Sequence, residues 1–173
     1  VRGLLVGRFQ PFHSGHVDVV RHVTNARPQD ELILGIGSAG ESYTLENPFT
    51  AAERFEMIAR ALRDAKLDHW LAIPIPDIHR HALWVAHVAE LVPPFERVYT
   101  NNPLTRTLFE RAGYDVESTP MFGRDRLEGT AIRTLLAAGT AEWPARVPAP
   151  VAAYLRELNA TDRLRALTAG RGA

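Results

Sequence analysis

The sequence predicts a doubly wound α/β fold, a parallel sheet with helices on both faces, carrying a small helical extension at its C-terminus. Two observations carry the prediction. Through the first two thirds of the 173 residues, short apolar runs alternate with segments of helical periodicity. Such alternation implies right-handed crossovers between parallel strands. After Pro120 the strand signals give way to helical ones. The whole chain is expected to be one domain, with a core of about residues 1–138 and an extension of about 139–173.

Gly3 to Gly7 (GLLVG) and Leu32 to Gly37 (LILGIG) are apolar throughout and end at glycine, the pattern of strands buried on both faces. Between them His16, Val19, Val20 and Val23 fall on one face of a helix. Thr50-Ala51-Ala52-Glu53 has the spacing of a capping box, and Phe55, Ile58, Ala61 and Leu62 extend it as an amphipathic helix. Leu71 to Ile75 is a third strand, cut short by Pro74 and Pro76. Ala82 to Val92 is a helix stopped by Pro93-Pro94. Arg97 to Thr100 is a fourth strand, Leu104 to Ala112 a helix ended by Gly113, and Asp115 to Ser118 a short fifth strand. Thr130 to Ala138 forms a helix ended by Gly139, and helical patterns return at Val151 to Leu158 and Thr161 to Leu167. These last helices are too short for a second domain, so they are expected against the sheet's edge or a neighbouring subunit.

Composition narrows the function. Basic and acidic residues balance at 20 each, 46% of residues are hydrophobic, and there is no cysteine. Global disorder is excluded by that apolar fraction, and wholesale electrostatic binding to nucleic acid or membrane is disfavoured by the zero net charge. Without cysteine there is no disulfide, thiol nucleophile or cysteine-based zinc site. No apolar run approaches the roughly 20 residues of a membrane span, and the opening RGLLVGRFQPF lacks the apolar stretch of a signal peptide. A cytoplasmic enzyme or binding domain is expected. All basic residues except Lys66 are arginine, a skew that genome base composition can produce and that also suits phosphate recognition.

The densest chemical signal is Gly7-Arg8-Phe9-Gln10-Pro11-Phe12-His13-Ser14-Gly15-His16, where a strand ends and a helix opens near Gly15. Helix N-termini offer free N–H donors and partial positive charge to phosphate. Gly15 permits close approach of a ligand or another backbone. His13 and His16 are expected to turn their imidazoles to one pocket, donating to phosphate when protonated. A second constellation is Arg124-Asp125-Arg126-Leu127-Glu128-Gly129-Thr130-Ala131-Ile132-Arg133. Thr130 has the character of an N-cap, which puts Arg133 in the first turn, where a cation opposes the helix dipole. Arg124, Arg126 and Arg133 gathered there call for an anion, although a solvated cluster paired with Asp125 and Glu128 is the plainer reading. His79-Arg80-His81 with His87 is a weak transition-metal signal lacking partners at ligand spacing. The basic and aromatic residues of 93–111 are interrupted by Glu96 and Glu110 and carry no RNA-binding motif.

GRFQPFHSGH resembles the HxGH signature of the nucleotidyltransferase superfamily, and GTAIR resembles its second phosphate-binding motif. The ordered set NPFTAAER at 47–54, DIxxxALWVAH at 77–87, PPFERVY at 93–99, NPL at 102–104 and FGRDRLEGTAIR at 122–133 is similar to the archaeal-type nicotinamide mononucleotide (NMN) adenylyltransferases. The resemblance implies that ATP lies over the first loop and two helix N-termini while the 5′-phosphate of NMN attacks the α-phosphorus. NAD+ and pyrophosphate then form without a covalent enzyme intermediate. It assigns His13, His16 and Arg8 to the transferring phosphates, and Gly7, Gly15, Arg124, Gly129, Thr130 and Arg133 to phosphate binding. Trp84 is implied to stack on the pyridine ring beside His81, Ile78 and Asp77. Mg2+ is implied to arrive with ATP, without a protein metal site. A homo-oligomer, a hexamer by resemblance, is implied as well.

Two positions depart from the family pattern. His81 stands where asparagine is usual, and when protonated it would favour the carboxylate of nicotinate mononucleotide over a carboxamide. Glu46 stands where a basic residue often faces the phosphates. The rival readings are a transferase of the same fold using nicotinate mononucleotide or phosphopantetheine, and a non-catalytic nucleotide sensor.

Overall fold

The computed structural model describes residues 1–123 and 128–170. Five parallel strands form one sheet: β1 (Arg2–Gly7), β2 (Glu31–Ile36), β3 (Trp70–Pro74), β4 (Arg97–Tyr99) and β5 (Asp115–Glu117), in the order β3-β2-β1-β4-β5. The chain winds outward from β1 to β3, then returns to β1's other side for β4 and β5. The direction of winding reverses between β1 and β4, and that switch point opens a crevice at the strands' carboxyl ends.

Helices α1 (Ser14–Ala26) and α2 (Ala51–Asp64) cover one face of the sheet, and α3 (His81–Leu91) and α4 (Pro103–Arg111) the other. Strand alternation divides the core between them. Leu32, Leu34 and Ile36 join α1 and α2 on the first face, whereas Ile33 points to the second, with Leu4, Val88, Val98 and Phe109. The α2 capping box forms as its sequence predicts: Glu53 N–H donates to Thr50 Oγ1 at 3.1 Å, and Thr50 N–H to Glu53 Oε2 at 2.9 Å.

Helix α5 (Gly129–Ala138) ends at Gly139 in the left-handed conformation, with φ of 67°. A 3-10 turn (Trp143–Arg146), α6 (Ala149–Glu157) and α7 (Ala160–Gly170) complete the described chain. They do not lie at the sheet edge, as expected from sequence. Val151, Ala152, Leu155, Ala160 and Leu164 instead extend the first-face core over α2 and α5, meeting Phe12, Phe49 and Met57. Helix α6 packs on α2, and α7 on α5.

Three other expectations are corrected. Phe55 is 43% exposed; Ile58, Ala61 and Leu62 are buried as expected, and Arg54 and Met57 complete the buried face of α2. In α1 the buried valines are Val17, Val20 and Val23, while Val19 turns toward the crevice. The N-cap of α5 is Glu128, in extended conformation, so Thr130 lies inside the first turn and Arg133 in the second. Glycine can occupy the first helical position there because Arg133 curls back over it: a Cβ on Gly129 would stand 3.0 Å from Arg133 Nη1.

Candidate active site

A cavity of about 350 Å3 occupies the switch point. Gly7, Phe9, His13, Gly15 and His16 line it from the β1 loop and the start of α1, and Tyr99, Thr100 and Asn101 from the end of β4. Thr119, Phe122 and Glu128 close the third side. The sequence reading missed Asn101 and Thr119, although an Asn just past an apolar strand is a signal for such a position. Asn101 Nδ2 donates to the Thr119 carbonyl at 2.9 Å and Thr119 N–H to Asn101 Oδ1 at 3.1 Å, tying the ends of β4 and β5 together.

His13 caps α1, and its ring stacks on that of His16 with centroids 3.6 Å apart and planes 20° from parallel. Phe12 stacks on His16 and Phe9 meets it edge-on. The His13 N–H donates to His16 Nδ1 at 3.1 Å, so a neutral His16 carries its proton on Nε2. His13 Nδ1 is buried and has no hydrogen-bond partner among the described residues. Burial pushes His13 down to about 4, and His16 falls well below the ordinary value, through burial first and His13 second. Burial thus favours the neutral form of both rings, with His13 adding to the effect at His16, and each neutral ring donates through the one nitrogen that carries hydrogen.

Gly15 seats this pair. A Cβ there would lie 3.1 Å from the His13 ring and 3.3 Å from the Phe122 carbonyl. Gly7 is required by packing, since a Cβ would meet the Phe9 ring at 2.6 Å.

Arg133 donates through Nη1 to the Gln10 carbonyl at 2.8 Å and through Nη2 to Thr130 Oγ1 at 3.2 Å. The helix α5 thereby hangs its guanidinium on the β1 loop. Burial and then Arg8 lower its pKa, while Glu46 and Glu128 oppose them. Glu46 thus belongs to the electrostatic surroundings of Arg133. Arg8 is exposed, and it also acts on Arg54, whose pKa burial, and then Arg8, push down to about 10.

Arg54 escaped the sequence reading, though it recurs with Ile58 and Ala61 on the buried face of α2. Its side chain is wholly buried and donates to four main-chain carbonyls, those of Thr50, Arg8, Gly37 and Ser38. The described basic trio is thus Arg8, Arg54 and Arg133. Arg124 and Arg126 lie outside the described residues.

A second cleft, of about 310 Å3, brings Asp77, Ile78, His81 and Trp84 together with His79, Arg80 and Leu104. Trp84 packs edge-on against Phe109 with centroids 5.5 Å apart, fixing the indole while leaving it half-buried at the cleft wall. His87 is engaged elsewhere, its Nε2 lying 2.8 Å from the Pro76 carbonyl.

Comparison with known proteins adds the following. Residues 4–135 match the cytidylyltransferase-like family. The chain is 48% identical over 170 residues to a nicotinamide-nucleotide adenylyltransferase of Ignicoccus hospitalis, covering 97% of this chain and 98% of the relative. A nicotinamide-nucleotide adenylyltransferase of Archaeoglobus fulgidus is also 48% identical over 170 residues, covering 95% of this chain and 96% of that one. Among solved structures, a bifunctional NMN adenylyltransferase/ADP ribose pyrophosphatase of Francisella tularensis, complexed with AMP and a manganese ion, superposes with a TM-score of 0.77. It is 19% identical, and the match covers 99% of this chain and 52% of that one, a likeness of fold.

Proposed function

The chain belongs to the cytidylyltransferase-like family and, within it, to the nicotinamide-nucleotide adenylyltransferases, and on that premise we infer that it transfers AMP from ATP to NMN. A 5′-phosphate oxygen of NMN attacks the α-phosphorus of ATP, the bond to the β-phosphate oxygen breaks, and NAD+ and pyrophosphate leave. The observation that carries this reading is the convergence of two helix N-termini, α1 and α5, with His13, His16 and Arg133 beside one cavity at the switch point.

Little covalent chemistry is asked of the protein in such a transfer, so its task is positioning and charge stabilisation. His16 presents Nε2–H as a donor whose direction is fixed by the bond at Nδ1. A neutral donor in a dry aromatic setting strengthens as charge builds on the phosphate oxygens. His13 adds a second ring nitrogen, and the free N–H groups around Gly15 a third source of donors. Arg133, Thr130 and Gly129 hold the β- and γ-phosphates, with Arg8 at the rim.

Family members use a divalent metal with ATP. The reading has Mg2+ arrive with ATP, held mainly by phosphate oxygens and water. When bound, it would neutralise phosphate charge; Glu46 and Glu128, whose charges act on Arg133, are the carboxylates the reading places toward its water shell. Asp77, Ile78, His81 and Trp84 take the pyridine nucleotide, with the indole face against the cationic ring. The reading treats residues 1–173 as one catalytic unit, places it in the cytoplasm where ATP is plentiful, and includes assembly into a homo-oligomer. It assigns neither nucleic acid nor membrane as a partner.

A second acceptor, nicotinate mononucleotide, is favoured by one feature: His79, Arg80 and His81 together rim the cleft that holds Trp84. Turnover with Mg2+-ATP, offering both mononucleotides in parallel and quantifying dinucleotide and pyrophosphate, tests both readings. A strong preference for NMN supports the first. Preference for the nicotinate substrate supports the second, and ATP binding without turnover would leave only a nucleotide sensor.

A further inference from the structure

Arg163 stands on α7, far along the chain from either phosphate motif, yet it is not a surface charge. Its side chain is 15% exposed and forms a two-pronged ion pair with Glu53, at 2.7 and 2.8 Å. Nη1 also donates to the Pro48 carbonyl at 3.2 Å. The guanidinium lies over the Tyr43 ring, 4.7 Å from its centroid, and 5.7 Å from that of Phe49. Glu53 is the same carboxylate that closes the α2 capping box by accepting from Thr50 N–H. One guanidinium therefore grips both ends of the segment 43–53.

That segment leads to the phosphate site. Phe49, next to Pro48, exchanges two buried hydrogen bonds with the Gln10 side chain: Nε2 donates to the Phe49 carbonyl, and Phe49 N–H donates to Oε1, both at 3.0 Å. The main-chain carbonyl of Gln10 is the acceptor on which Arg133 hangs. The segment also carries Glu46, whose charge acts on Arg133. A continuous run of hydrogen bonds thus joins α7 to Arg133 through Pro48, Phe49 and Gln10.

We propose that Arg163 is a positioning residue for the triphosphate site, fixing segment 43–53 so that Gln10 and Glu46 hold Arg133 in place. The proposal rests on the adenylyltransferase reading above. It gives the C-terminal helix a part in ATP binding while leaving the pyridine cleft, built from α3 and α4 on the other face, untouched.

The test is R163M, which keeps an apolar stem against Tyr43 and Phe49, alongside R163K, which keeps the charge but cannot grip Glu53 with two prongs. In both, the KM for ATP is expected to rise about tenfold while that for NMN stays within about twofold. Affinity for inorganic tripolyphosphate, measured by calorimetry, should weaken in step without any turnover. Should R163M fail to fold, R163K and the tripolyphosphate titration carry the test. Unchanged KM values with a lower kcat would overturn the proposal by showing only loss of folded enzyme, and equal rises in both KM values would overturn it by showing an effect not confined to the triphosphate site. Wild-type protein that binds tripolyphosphate but forms no dinucleotide from Mg2+-ATP and either mononucleotide would overturn the adenylyltransferase reading instead, and tripolyphosphate affinity unchanged in R163K would overturn the role of Arg163.

Discussion

The main-chain N–H of His13 donates to Nδ1 of His16, three residues on, while the two rings stack at 3.6 Å. The helix cap and the Nε2 donor are therefore one unit: the bond that starts α1 also settles which nitrogen of a neutral His16 carries hydrogen. Burial shifts both rings below the ordinary histidine value, and His13 adds to the effect at His16.

A pH dependence follows. The folded value of His13, about 4, lies below its ordinary 6.5, and His16 is shifted the same way. The unfolded chain then binds more protons throughout that interval. Stability is fully present above about pH 6.5 and is lost on acidification toward pH 4, by about 1.4 kcal/mol per pH unit for each histidine. Urea midpoints measured at pH 7.5, 6.0 and 5.0 should fall in that order, and a flat profile would refute neutral burial.

His16→Ala removes the fixed Nε2–H donor. Turnover should drop by about 10²–10³-fold, with the KM for ATP changing far less. Steady-state kinetics decide the matter, and turnover that survives the substitution would show that His16 is only a packing residue.

Gly15→Ala drives a methyl group against His13 and the Phe122 carbonyl, at 3.1 and 3.3 Å. The carbonyl belongs to the backbone and yields little. A loss of about 1–3 kcal/mol in stability is expected, accompanied by lower kcat because His13 must shift. Gly129→Ala meets the flexible end of Arg133 instead and should cost less stability. Paired thermal melts compare the two.

Trp84→Ala empties one wall of the second cleft. The KM for the pyridine mononucleotide should rise about tenfold or more, with the KM for ATP nearly constant. If the ATP value moves equally, the indole serves the core beside Phe109 and not the substrate.

Much of the fold was legible because periodicity records burial. The alternating strand β2 divides its side chains between two cores, and Thr50 and Glu53 announce the start of α2 by spacing alone. Where the sequence misled, tertiary contacts had outweighed local preference. Thr130 has the chemistry of a cap, but Glu128 takes that place because Arg133 needs both Gly129 beneath it and the Thr130 hydroxyl beside it. Arg54 sits in an apolar stripe where a charge is counterintuitive, and only the meeting of three loops supplies its acceptors. The Asn101–Thr119 clasp joins two strand ends that neighbour each other only once the sheet is assembled.

Arg54 has a consequence beyond holding those loops. Its hydrogen bonds end on carbonyl dipoles, which solvate the guanidinium without cancelling its charge, and a pKa near 10 keeps it cationic at neutral pH. In a water-poor interior that charge is weakly screened, and although Asp77 and Glu53 partly offset it, its field adds to that of Arg8 at the β1 loop. Steering of a polyanion is the expected consequence: the capture rate of ATP should decline as salt is added, before any contact with the nucleotide has formed.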